Sequence, residues 1–138
     1  MRAWLLAIAA LVACPAAAQS TSVRQQTDVE IPDSIAPSLQ EYQACLSSEL
    51  NSQGKSVPTV EELPTDRSII EACSKVREAK IESAMDAMEE AGWTDEAEIA
   101  RRTNSAFAAV DESLRSFLID LYRKQFGSVP EAMRGDAQ

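Results

Sequence analysis

Two cysteines and a run of carboxylates are the residues with chemistry to offer. Cys45 and Cys73 stand 28 positions apart. A catalytic thiol pair sits close in sequence at a helix N-terminus, as in Cys-x-x-Cys, where the dipole lowers the thiol pKa. These two sit inside apolar segments at helical spacing: Leu39, Tyr42, Cys45, Leu46 and Leu50 for the first, Ile69, Ile70, Cys73 and Val76 for the second. That placement predicts a structural disulfide. The carboxylates Glu78, Glu82, Asp86 and Glu89 or Glu90 recur at spacings of three and four, which is the pattern of one helix face. Converged on a point they would hold a hard cation or act as an acid and base pair on a glycan. With no apolar pocket implied around them, they read as the charged outer face of a surface helix. A carboxylate-only enzyme built on Glu78, Glu82 and Asp86 is the lesser alternative. The chain has no histidine, which removes the usual general base near neutral pH, the Ser-His and Cys-His pairs and most zinc sites. It has no Gly-x-Ser-x-Gly elbow and no phosphate-binding Gly-rich loop. No catalytic residue, metal or cofactor is expected.

Whether the cysteines oxidise depends on the compartment. The chain opens with Met1 and Arg2, continues with an apolar run over residues 3–13, and reaches Ala16-Ala17-Ala18 before Gln19. A charged start, a short hydrophobic stretch and a small-residue cleavage site make a secretory signal peptide over residues 1–18. The run is too short to span a bilayer, which needs roughly 20 apolar residues. Leu11-Val12-Ala13-Cys14 resembles a lipobox in which Cys14 would be lipidated, but Pro15 follows directly and the Ala-x-Ala site lies beyond. Cleavage leaves about 120 residues, enough for one domain. Cys14 departs with the leader, so an even pair remains for an oxidising setting, the periplasm or the exterior. Loss of Arg2 takes the formal charge from −9 to −10. Such an acidic chain is repelled by phosphate backbones and anionic lipids. Neither nucleic acid nor membrane is expected as a partner, unless Cys14 is lipidated; a cationic protein would be favoured at long range.

Three helices must position the cysteines. Residues 19–33 carry no hydrophobic period and read as a flexible arm. A helical domain is expected over 34–127, with a loose tail over 128–138. The first helix starts near Ser34, a candidate cap, and Pro37, which fits the first turn, and runs to about Ser52. A connection with Gly54, Pro58 and Pro64 follows, tucked in by Val57, Val60 and Leu63. The second helix starts at a Thr65 or Asp66 cap and runs to Ala91 without Gly or Pro, about 26 residues or about 39 Å. Each cysteine then lies seven residues from the connection, about 10 Å along its helix, so antiparallel helices bring the sulfurs level. Gly92 ends the second helix in a left-handed conformation and aims Trp93 at Met88. Thr94 caps the third helix, with Asp95 and Glu96 at the positive end of its dipole. That helix runs to Gln125 or Phe126 and is closed by Gly127. Its seam of Thr103, Phe107, Val110, Leu114, Phe117 and Leu121 steps by 4, 3, 4, 3 and 4, and Leu118 and Tyr122 widen it. Glu98 and Arg102, Asp111 and Arg115, and Asp120 and Lys124 place acid four residues before base on a solvated face. The fold expected is all-α, a three-helix antiparallel bundle with one inter-helix disulfide. Its core would hold Ile69, Ile70, Val76, Phe107, Val110, Leu114 and Phe117.

The signal peptide, Tyr42-x-x-Cys45-Leu46, and Ala72-Cys73 in the second helix together resemble uncharacterised small secreted proteins of proteobacteria with a two-cysteine helical hairpin. The resemblance covers roughly residues 38–80 and implies no known activity, and the Pro-bearing connection departs from the more helical one of that group. In size, helix content and single disulfide the chain is more loosely similar to small periplasmic acid-stress chaperones. Function is expected where the helices mismatch. The third, at about 31 residues, outruns the first, so its C-terminal half should leave Phe117, Leu118, Leu121, Tyr122 and Phe126 without cover. Large apolar residues are rarely left exposed without cause. A non-enzymatic envelope protein that binds another envelope protein or a second copy of itself, giving a homodimer, is the expectation. A chaperone-like variant would open further at low pH as contacts such as Glu98 with Arg102 weaken.

Overall fold

Pro37 stands in the first turn of the first long helix, α1 (Ala36–Gln53), where its missing N–H costs no hydrogen bond. The computed structural model describes residues 31–54 and 59–135. The expected signal peptide, Cys14, residues 19–30 of the arm, Val57 and Pro58 lie outside the described residues. Ser34 does not cap α1. It lies in a 3-10 turn, Asp33–Ile35, with its buried hydroxyl unpartnered, and buried Ile35 takes the N-cap position instead. Along α1, Tyr42 and Leu46 are buried while Leu39, Cys45 and Leu50 are half-buried, which is the stripe the spacing predicts.

Beyond the connection and a 3-10 turn at Val60–Glu62, Thr65 begins the next helix with a reciprocal cap. Its Oγ1 accepts from the Ser68 amide at 3.1 Å, and its amide donates to the Ser68 hydroxyl at 3.2 Å. The second helix is not continuous. It divides into α2 (Asp66–Ala72) and α3 (Ser74–Glu90) at Cys73, whose φ of −96° and ψ of 8° leave the helical well. The Cys73 amide donates to both Ile69 and Ile70 carbonyls at 3.2 Å, so the last turn of α2 is pulled tight at the residue tied to α1. The fold is therefore all-α with four helices rather than three, and no strand occurs among the described residues.

Two turns fix the remaining course. Gly92 has φ 98°, its amide bonds the Glu89 carbonyl at 2.9 Å, and the Trp93 amide bonds the Met88 carbonyl at 3.1 Å. Both bonds of a Schellman motif are thus present. Asp95, not Thr94, caps α4 (Glu96–Phe126), accepting from the Glu98 amide at 3.1 Å. Capping requires a side chain one residue before the first helical position, and Asp95 takes it. Met88 meets Thr103 and Arg77 meets Asp111, so α3 and α4 run antiparallel. Gly127 ends α4 at φ 72°.

Wholly buried side chains from every layer meet in the core: Ile35, Tyr42, Ile69, Cys73, Met88, Ile99, Phe107 and Leu118. Of the residues expected there, Ile69, Phe107 and Val110 are buried and Ile70, Val76 and Leu114 are half-buried. Phe117 is 53% exposed and belongs to the surface. The 4-3 seam drifts around a straight helix of 3.6 residues per turn, and by position 117 it has rotated out of the core.

Candidate interaction surface

The disulfide organises this end of the molecule. Cys45 and Cys73 are bonded with Cα atoms 6.1 Å apart, holding the middle of α1 against the junction of α2 and α3. Nearby, Lys80 on α3 pairs with Glu41 on α1. Deeper in, the Asp111 carboxylate accepts from the Tyr42 hydroxyl at 2.6 Å and from Arg77 Nε and Nη2 at 3.2 and 3.1 Å. The Arg77 guanidinium also lies 5.8 Å from the centre of the Phe107 ring. One carboxylate thereby joins α1, α3 and α4. Sequence spacing assigns Asp111 to a surface pair with Arg115; instead Arg115 lies 3.7 Å from Asp66 on α2.

The C-terminal half of α4 is covered on one side only. Leu118 and Tyr122 are buried, and the Tyr122 hydroxyl donates to the Pro64 carbonyl at 2.8 Å. Burial raises the Tyr122 phenol above its ordinary pKa. The tail, expected to be loose, folds back through a 3-10 turn at Glu131–Met133, with Val129, Pro130 and Met133 buried. It is held by the Glu131 amide on Glu61 at 3.0 Å and by Arg134 on the Val129 carbonyl at 2.8 Å. Residues 136–138 lie outside the described residues. Of the five residues expected at the surface, Leu118 and Tyr122 are thus interior: this half of α4 also meets α2, through Arg115 and Asp66, and the connection, through Pro64.

On the other side, a groove of about 290 Å³ lies between α1 and α4, lined by Gln43, Leu46, Ser47, Leu50, Val110, Ser113, Leu114 and Phe117. A second, of about 200 Å³, continues from Leu50 past Leu63, Leu121, Tyr122 and Phe126. Leu50 lies in both. Among the described residues, Phe117 and Phe126, 53% and 48% exposed, are the large apolar side chains left in water, and Leu121 is half-buried between them. What such a surface can do is take up apolar side chains from a partner; the groove lining carries no ionisable group.

The carboxylates do not assemble. Glu78, Glu82, Asp86, Glu89 and Glu90 are all exposed on α3. Among the described residues no group of three or more acidic or cysteine side chains is close enough to hold a metal ion. The strongest charge cluster is at the far end of α4, where hydrogen bonds from Arg101 and Arg102 hold the Glu98 carboxyl down at about 2. That contact therefore persists in acid well below the range in which ordinary carboxylates titrate. Trp93 is half-buried beneath the Arg102 guanidinium, 5.0 Å from it. No described helix is long and apolar enough to cross a membrane. No protein-family model, curated protein or solved structure matches the chain.

Proposed function

We propose that this is an exported, non-enzymatic protein that works by docking another polypeptide in the apolar groove between α1 and α4. The observation that carries it is Phe117, more than half exposed beside a channel walled by Leu46, Leu50 and Leu114. An amphipathic segment laid in such a groove buries its apolar face and the groove's together. Export is supported by the leader-like residues 1–18 and by the Cys45–Cys73 disulfide, which belongs to an oxidising compartment rather than the cytosol. The periplasm or the exterior is the proposed location.

A photocrosslinking residue placed at 117, with one at 82 as control, tests the docking in intact cells. Adducts from 117 and none from 82 are expected, since Glu82 is exposed on α3 and lines neither groove. If 117 gives no adduct in protein that retains its disulfide, the docking function fails. Intact mass tests export: the chain should begin at Gln19, with no thiol alkylated until reductant is added. A diacylglycerol mass at Cys14 would establish a lipoprotein instead.

A further inference from the structure

We infer that the occupant of the α1–α4 groove is a second copy of this chain, each protomer seating its Phe117 ring in the other's groove. This rests on the docking function proposed above and names its partner. The surface is complementary to itself: an exposed phenyl ring stands at the edge of an apolar channel with room for one. A two-fold axis through that edge lets each ring enter the opposite channel, which is the isologous arrangement most homodimers use.

Charge selects the same occupant. The chain carries a formal −9, and its exposed acids on α3, Glu78, Glu82, Asp86, Glu89 and Glu90, lie on an element that lines neither groove. Beside the groove, α1 presents Gln40, Gln43, Ser47 and Asn51 on one row, all exposed and all uncharged. Across it α4 presents Ser113 and Ser116, and then Asp120 and Lys124, whose charges offset. A cationic partner would need acids at this rim, and there are none on α1's side. Two acidic protomers need the reverse, a face where like charges do not meet. Depletion of charge around an aromatic anchor is also the composition of a protein interface.

Sedimentation equilibrium of the purified, disulfide-bonded mature protein, from low to high micromolar, tests this directly. A reversible dimer is expected, unweakened by raising NaCl, because salt screens the repulsion between protomers. Phe117→Asp and Ser47→Glu, both at exposed positions, should each weaken dimerisation about tenfold or more, with helicity unchanged; Glu82→Gln should have no such effect. A dimer indifferent to both groove substitutions overturns the inference, as does a wild-type protein that stays monomeric throughout. In the monomeric case, an adduct from position 117 to a different protein would leave the docking function standing without this partner. No adduct at all would remove both.

Discussion

Asp111 accepts three hydrogen bonds from two helices other than its own, and its worth follows from its surroundings. Its side chain and that of Arg77 are 20% and 26% exposed, so the pair is neither freely solvated nor fully buried. Hydrogen bonds to charged groups at such sites contribute about 1.5 to 3 kcal/mol. Asp111→Ala should therefore cost about 2 kcal/mol, and Tyr42→Phe somewhat less, both measured as urea midpoints at neutral pH. The tyrosines also set an alkaline limit. Desolvation raises Tyr42 and Tyr122, with the Asp111 hydrogen bond adding to Tyr42. With folded-state values above the unfolded value, their contribution is full below about pH 10 and is lost as pH climbs further, because the unfolded chain then releases protons the folded one keeps. Stability should fall above pH 10, and the Tyr42→Phe, Tyr122→Phe double variant should flatten that fall. None of this could be read from spacing. Asp111 stands four residues before Arg115, a pattern that fits a surface pair equally well, and the partners it takes are 34 and 69 residues away.

At the scale of elements, local chemistry was legible and long-range cover was not. Gly92, Thr65, Pro37 and Gly127 each act within a turn of their own position, and each ends or starts a helix as its residue type dictates. The cap of α4 was displaced by one residue, since Thr94 and Asp95 are both competent and geometry chooses between them. Asp95→Ala should cost about 1 kcal/mol and Thr94→Ala little. Gly92→Ala should cost about 1 kcal/mol as well, from its left-handed φ alone, as no neighbour lies within 4 Å of an added Cβ. Thermal unfolding of the three variants would separate these effects. The break between α2 and α3 carries no Gly or Pro; it falls at the residue bonded to α1. The half of α4 that holds Leu118 and Tyr122 meets α2 and, through the Tyr122 hydroxyl, Pro64 of the connection, long-range partners that the spacing within α4 does not announce. For that reason the exposed surface shrinks from five expected side chains to Phe117 and Phe126, with Leu121 between them.

Across the whole molecule, burial decides which apolar side chains carry stability. Leu118 is fully buried and Leu114 only partly, so Leu118→Ala should cost about 2 to 5 kcal/mol and Leu114→Ala clearly less. That difference belongs to dilute, monomeric protein, and it should narrow at concentrations where the dimer forms and the groove is filled. Closing the loop from 45 to 73 restricts the unfolded chain by roughly 3 to 4 kcal/mol in the entropic model. The cystine has a second effect that depends on what lies between its ends. It spans the connection from Gly54 to Thr65, where Gly54 and Thr59 are exposed, the kind of segment where proteases cut first. A cut there leaves α1 on one fragment and α2 to α4 on the other, with the sulfur bridge between them. The nicked protein would migrate as one chain without reductant and as two with it, and would keep its helices packed in the first case. In a compartment shared with proteases, the peptide backbone of that connection is expendable so long as the bridge survives.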